Sequence, residues 1–448
     1  MDIQIKKILF LVGIALSVFG VAFFYIGFTK AALLGTIALL VGLWSSEALP
    51  LGVVSLLPIV LFPSFGILST KATTINYANH IIFLFLGGFL LAVGVEKTKL
   101  HIFIARKILD IFPKTAGGMI FSLALTSALL SSVLSNTTTT LLLISIAIFL
   151  TDHTGLKMRF ALAIAYGASI GGILTPIGTP PNLVLLGVMS ESNMEMIPFF
   201  TWMMLTAPLV VFMLVFMAFL LSMGTKGISI EQVKKSLSLD FEQKKMLYLL
   251  GTLIVLLFIN AKTKPYWDGL GLSESGLLLA FGLVLFMPPF SILKWEEDFH
   301  KVPYAIIFLF GAGFSIAKAF SHTGLANDIA SVLLSMSDMT PLLLLLATAT
   351  LITFATEITS NTALISIMLP VIYSVAKQSG IDATLFMMVA TLCASYAFML
   401  PIATPPNAIA MSTKVVHIKD MVRYGIVLNI VGIVSIVTIS YFYWRYFI

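Results

Sequence analysis

Charge is what this sequence has least of. Acidic and basic residues together make up 10% of its 448 residues, against roughly a quarter in a soluble domain, so the chain could not cover a water-facing surface. Disorder is excluded from the other direction, because 59% of the residues are hydrophobic, with 35 Phe and 21 Met, where a disordered chain is polar. Cysteine is nearly absent. The single Cys393 rules out a disulfide framework and any cysteine-based metal site, and it reads as a small apolar residue in a membrane helix. Histidine is scarce as well: His80, His101, His153, His300, His322 and His417 all fall at or near the ends of apolar runs, and no pair of Asp residues lies within one. An intramembrane enzyme would need a nucleophile–base or metal set there, so an enzyme is not expected. With a mean hydropathy of +1.06, the remaining fold class is an all-α polytopic membrane protein.

A hydrocarbon core of roughly 30 Å takes about 20 helical residues to cross. Apolar windows against that length predict eleven spans at 8–28, 31–44, 48–63, 78–95, 158–190, 199–223, 246–260, 273–290, 302–320, 382–413 and 422–447. The first follows Lys6-Lys7 like the core of a signal peptide, but its 21 residues suit a retained transmembrane helix. Two further stretches, 115–150 and 340–376, each carry a polar tripeptide at the centre and no charged loop there. They are expected to be re-entrant hairpins. The net charge of +6 follows from topology rather than from a nucleic-acid partner: 19 of the 26 Lys and Arg residues fall on the N-terminal side of the spans and 7 on the other. This bias places the N-terminus in the cytoplasm and the C-terminus outside a cell (inner or plasma) membrane.

The chain repeats itself at an offset of 225. Ile81-Ile82-Phe83-Leu84-Phe85 recurs as Ile306-Ile307-Phe308-Leu309-Phe310, Ser135-Asn136-Thr137 as Ser360-Asn361-Thr362, and Thr179-Pro180-Pro181-Asn182 as Thr404-Pro405-Pro406-Asn407. We divide the chain into a first transmembrane helix (1–30), repeat one (31–226, with hairpin 115–150 and broken helix 158–190) and repeat two (227–448, with hairpin 340–376 and broken helix 382–413). Five spans and one hairpin per half turn the second half upside down relative to the first, the inverted repeat common in secondary transporters. The charges agree, since 96–114 carries five basic residues while its partner 321–339 carries none and has Asp328 and Asp338.

Chemistry is expected where the polar motifs interrupt the apolar runs. A helix restarting at Ser135 or Ser360 has a hydroxyl cap and free backbone N–H groups aimed into the protein, a site for a carboxylate. In Thr175-Pro176-Ile177-Gly178-Thr179-Pro180-Pro181-Asn182 and Leu400-Pro401-Ile402-Ala403-Thr404-Pro405-Pro406-Asn407, three prolines in six residues break the helix. Carbonyls such as those of Gly178 and Ala403 lose their helical partners, and these, with the Asn oxygens, are hard ligands suited to Na⁺. Helices restarting at Pro180 and Pro405 offer two more N-termini to an anion. No Lys or Arg lies near either motif, and Glu357 is the one acidic residue beside the second tip. Bound cations would therefore accompany an anionic substrate, and one carboxylate is poor equipment for a proton relay. Glu357 reads as a hydrogen-bond orienter.

At these residues the chain resembles the divalent anion/sodium symporter family, solute carrier family 13, and most closely its bacterial sodium-coupled C4-dicarboxylate transporters. The resemblance covers essentially the whole chain. It implies Na⁺ symport of succinate, fumarate or malate by a homodimer whose transport domain moves in elevator fashion against a scaffold, with no organic cofactor. It further implies that Ser135, Asn136, Thr137, Thr179, Ser360, Asn361, Thr362 and Thr404 hold the substrate. One sodium site falls on Ser131, Ser135, Asn136 and Gly178, and a second on Thr356, Thr359, Asn361 and Ala403. A Na⁺-independent dicarboxylate exchanger and a sodium/sulfate symporter are the alternatives. A passive channel would not need a duplicated, closed anion site. The run Thr138-Thr139-Thr140, opposite Ala363-Leu364-Ile365, has no role in this reading.

Overall fold

The computed structural model describes residues 3–46, 48–225, 238–261, 267–335 and 340–446. The 226/227 repeat boundary lies outside these residues, as do Lys226, Lys234, Lys235, Lys262, Lys264 and Asp338.

Helices α1 (Ile3–Ile26) and α2 (Phe28–Ser46) form an antiparallel pair turned at Gly27, whose φ of 77° an L side chain resists. Next come α3 (Leu51–Ser64), the short α4 (Thr70–Thr74), α5 (His80–Lys97) and α6 (Leu100–Ile111). The first hairpin is α7 (Ala116–Ser131) with α8 (Asn136–Ala147), the first broken helix is α9 (Thr154–Gly172) with α10 (Pro180–Glu191), and α11 (Phe199–Ser222) closes this half. The second half runs through α12 (Phe241–Asn260), α13 (Glu274–Val284), α14 (Trp295–Asp298), α15 (Tyr304–Thr323) and α16 (Leu325–Ser335). Its hairpin is α17 (Pro341–Thr356) with α18 (Asn361–Ser379), its broken helix is α19 (Ala383–Ser395) with α20 (Pro405–Ser412), and α21 (Ile418–Phe442) ends the fold. Among the described residues there is no β-strand. Helix starts recur at the offset of the sequence motifs: Leu100 with Leu325, Ala116 with Pro341, Asn136 with Asn361, and Pro180 with Pro405.

Among the described residues, seven helical stretches are long and apolar enough to cross a bilayer unaided, including the hairpin arm Asn361–Ser379. Of the other expected spans, 246–260 falls within the unbroken Phe241–Asn260 and the rest are shorter or interrupted. The expected span 273–290 is helical only from Glu274 to Val284, before Pro288 and Pro289. The segments 96–114 and 321–339, which the sequence marks only by their charges, contain α6 and α16. Helix α6 buries His101, Ala105 and Leu109 at four-residue spacing and leaves Arg106, Lys107 and Asp110 exposed, a helical period that a count of charges passes over.

The broken helices sit at the centre. Every residue of α9 from Phe160 to Gly172 and of α19 from Leu385 to Ser395 is buried. Helix α7 packs on α9, α17 and α18 on α19, α5 on α13, α15 on α3, and α1 on α2. Polar contacts join loop ends in two sets. Lys97 Nζ lies 2.5 Å from Asp298 and Gln4 donates to the Ala48 carbonyl at 2.8 Å, whereas Lys30 pairs with Asp328 and Asn79 donates to Glu191 at 3.2 Å. Each contact joins segments that the basic-residue count puts on the same side.

Candidate functional site

At the first tip, α8 begins at Asn136 and the Ser135 hydroxyl accepts from Thr138 N at 3.1 Å while donating to Thr138 Oγ1 at 2.9 Å. This gives Thr138 a purpose that sequence reasoning missed: it completes the cap, and the partner residue in repeat two, Ala363, cannot. Asn136 Oδ1 accepts from the fully buried Ser131 hydroxyl at 2.5 Å, which brings the end of α7 to the start of α8.

The second tip is built differently. Ser360 is the N-cap of α18 but makes no capping bond. Asn361 Oδ1 accepts from Thr362 N at 2.8 Å. Thr356 and Thr359 donate to the carbonyls of Ala394 and Ala355, both at 3.0 Å, which leaves their oxygen lone pairs available to a cation. Beside this tip Glu357, 3% exposed, accepts from Met399 N at 2.9 Å, Leu400 N at 3.0 Å and Asn429 Nδ2 at 2.7 Å. One carboxylate thus ties α17, the break after α19 and α21 together, the orienting role expected of it.

The breaks restart as the prolines require, with Pro180 and Pro405 at the first helical positions and Thr179 and Thr404 as N-caps. The sequence offered the Asn182 and Asn407 oxygens as cation ligands. The structure turns their amide nitrogens to backbone carbonyls instead, and neither residue lines the cavity. Backbone packs closely here. A Cβ on Gly172 would stand 2.8 Å from Asn136 Oδ1, and one on Gly178 would stand 2.4 Å from the Gly172 carbonyl, so both positions need glycine.

Eleven of the thirteen residues expected to bind substrate or sodium line one cavity of about 670 Å³: Ser135, Asn136, Thr137, Gly178, Thr179, Thr359, Ser360, Asn361, Thr362, Ala403 and Thr404. Ser131 and Thr356 lie beneath the tips, fully buried. Four helix N-termini, those of α8, α10, α18 and α20, meet the cavity at Asn136, Pro180, Asn361 and Pro405. Each carries roughly +0.5 of an elementary charge, a local partial charge that favours an anion beside the tips. Among the described residues, no charged side chain lines the space. The helices that end just before each site, α7, α9, α17 and α19, direct carbonyl oxygens, the ligand type of hard cations, toward the same region. Helix ends rich in free N–H groups and helix ends rich in free carbonyls thereby alternate around the cavity. The cavity continues along Phe85, Phe89 and Ala92 of α5 and Ile306 and Leu309 of α15 to the face that holds Gln4, Ser45 and Leu49. These apolar vestibule residues carry no sequence mark that separates them from ordinary membrane-helix residues.

Known proteins share this architecture. The Alcanivorax borkumensis YdaH transporter superposes with a TM-score of 0.61 at 14% identity over 92% of this chain and 97% of that one. MtrF of Neisseria gonorrhoeae, described as one of a class of antimetabolite efflux pumps, does so with a TM-score of 0.57 at 12% identity over 83% of this chain and 82% of that one. At such identities the likeness is one of fold. By sequence, the chain is 31% identical over 432 residues to a sodium-dependent dicarboxylate transporter, SdcS, of Staphylococcus saprophyticus, covering 89% of this chain and 83% of that protein. It is 29% identical over 436 residues to the Staphylococcus aureus protein of the same name, with the same coverage. Residues 41–391 match the family model for citrate transporters. The chain belongs to the citrate transporter family and is a multi-pass membrane transporter, not an enzyme.

Proposed function

We propose that this protein imports C4-dicarboxylates such as succinate, fumarate and malate by Na⁺ symport. The carrying observation is the convergence of four helix N-termini on a cavity that no described charged side chain lines. A dianion there is held by partial charges alone, through the hydroxyls and amides of the two Ser-Asn-Thr tips and the Thr179 and Thr404 caps. Sodium supplies the fixed positive charge that the chain lacks. Ser131, Ser135, Asn136 and Gly178 would hold one ion, and Thr356, Thr359, Asn361 and Ala403 the other. The names of the curated relatives support both the sodium and the dicarboxylate parts of this reading.

Movement is read from the repeats. Hairpins, broken helices, α11 and α21 form one body, and α2 to α5 with α12 to α16 form the scaffold, as the two inverted repeats suggest. We take the transport body to slide against the scaffold in elevator fashion within a homodimer. With the N-terminus cytoplasmic and the C-terminus external, the open vestibule faces the cytoplasm. The reading is tested by binding: in detergent, succinate should raise the melting temperature of the protein in NaCl but not in choline chloride. Equal stabilisation in both salts would favour the Na⁺-independent exchanger, and stabilisation by sulfate alone would reject the dicarboxylate assignment.

A further inference from the structure

Asn182 and Asn407 are the last residues of the two proline motifs, and the proposed transport cycle leaves both unused. Neither reaches the cavity, and both are completely buried. Their bonds nevertheless match atom for atom. Asn182 Nδ2 donates to the carbonyls of Gly172 at 3.2 Å and Thr175 at 2.9 Å. Asn407 Nδ2 donates to the carbonyls of Ala397 at 2.9 Å and Leu400 at 3.0 Å. All three positions of one set lie 225 residues from those of the other.

The chemistry of the break explains why an amide stands there. Pro176 and Pro401 stand where an N–H would bond the Gly172 and Ala397 carbonyls, and the chain leaves the helix before Thr179 and Thr404 could bond those of Thr175 and Leu400. Two carbonyls ahead of the break lose their helical donors in a region without bulk water, where an unsatisfied backbone group is costly. One amide N–H₂ has two donors and reaches both. The amide oxygens of Asn182 and Asn407 have no partner among the described residues, so these side chains serve as donors. One of the gripped carbonyls also holds the ion loop: Thr175 O accepts from Gly178 N at 3.3 Å, and Leu400 O accepts from Ala403 N at 3.3 Å.

We infer that Asn182 and Asn407 are positioning residues for the two cation sites, each holding its break in the bend at which Gly178 or Ala403 presents its carbonyl, without touching ion or substrate. This rests on the Na⁺-coupled reading above. If the bend must be held before an ion binds, loss of the amide lets the loop relax, and ion binding must then reorder it. The penalty falls on the apparent affinity for Na⁺. Succinate affinity at saturating Na⁺ should change little, because the reordered loop restores the cavity.

The test is Na⁺-dependent uptake of labelled succinate by reconstituted wild type, Asn182→Leu and Asn407→Leu, normalised to inserted protein. Leucine keeps the volume and removes the donors. Each substitution should raise the Na⁺ concentration for half-maximal uptake by roughly three- to tenfold, the equivalent of about one net hydrogen bond, with the succinate half-saturation at high Na⁺ unchanged. Asn182→Ser and Asn407→Ser keep one donor on a smaller side chain and should shift it less, in the same direction; they carry the test if the leucine variants fail to insert. A lower maximal rate with unmoved Na⁺ dependence would make both residues merely structural and overturn the inference. Uptake by the wild type that ignores Na⁺ would instead remove the transport reading on which it stands.

Discussion

The Ser131 hydroxyl donates to Asn136 Oδ1 at 2.5 Å, whereas at the same offset Thr356 and Asn361 do not bond to each other. Thr356 turns to the Ala394 carbonyl, and Asn361 caps its own helix. Equal motifs thus build unequal tips: in the first a side-chain bond joins the two hairpin arms, whereas in the second Thr356 bonds to α19 and Asn361 bonds to the neighbouring Thr362 within α18.

Asn136→Ala and Asn361→Ala should each abolish succinate uptake, because each removes a group that the proposed mechanism uses for both substrate and ion, while insertion and monodispersity stay normal. Ser131→Ala should be milder, weakening Na⁺ dependence by roughly tenfold through loss of one short bond and one ligand oxygen. Near-normal uptake by either alanine variant at Asn136 or Asn361 would remove that residue from the site.

Glu357 satisfies two backbone donors in the second break and the Asn429 amide at once. Glu357→Gln keeps the shape but turns an N–H₂ group toward donors, which should cost roughly 2 kcal/mol and lower the melting temperature as well as uptake. The double variant Glu357→Gln with Asn429→Asp returns an acceptor to the cluster and should recover part of both losses. An additive double variant would show that the two side chains are not coupled.

Where α10 crosses α15, a Cβ on Gly187 would fall 1.7 Å from Phe314, and one turn further Lys318 lies 3.7 Å from Glu191. Gly187→Ala should therefore block uptake more than it weakens succinate binding, since it wedges the moving body from the scaffold. Phe314→Ala in the same chain should restore transport by making room. A rescue that fails would place the fault in α10 itself.

On the Lys97 face, Asp298 is 1% exposed and is held by Lys97 at 2.5 Å, Lys301 at 2.7 Å and the Lys294 backbone N–H at 2.9 Å. Burial, the largest single influence, pushes its carboxyl up, but the three donors together outweigh it and lower the pKa to about 2. Because the folded value lies below the unfolded one, the stabilisation is complete above the ordinary aspartate range and is lost only as pH falls toward 2. Thermal stability contributed by this cluster should thus be flat between about pH 5 and about pH 8, and Asp298→Asn should lower it by roughly 2 kcal/mol throughout. A wild-type stability lost near pH 6 through this site would contradict the assignment.

Much of this was legible because membrane helices make polar interruptions conspicuous. Ser135-Asn136-Thr137 and Thr179-Pro180-Pro181-Asn182 stand out against apolar neighbours, and their recurrence 225 residues later gave the register in which the helix starts also recur. Helix α6 lies outside the expected spans because its charges lower the hydropathy, although the four-residue spacing of His101, Ala105 and Leu109 is present in the sequence. The vestibule was out of reach for another reason. Phe85 and Ile306 are apolar like their neighbours, and only tertiary packing decides which apolar side chains meet substrate. Which way an Asn amide points is likewise fixed by the carbonyls that the break frees and by how the chain folds back on them, so a ligand role for Asn182 and a donor role look alike in sequence.

The central claim is tested most directly by uptake of labelled succinate into proteoliposomes holding the pure protein, with an inward Na⁺ gradient or with choline in its place. Na⁺-driven accumulation above the external concentration is expected, accelerated by an inside-negative potential if more than two Na⁺ accompany each dianion, and reduced on acidification from neutral toward pH about 5 as carboxylates gain protons. Equal uptake in choline, insensitive to the gradient, would contradict the account.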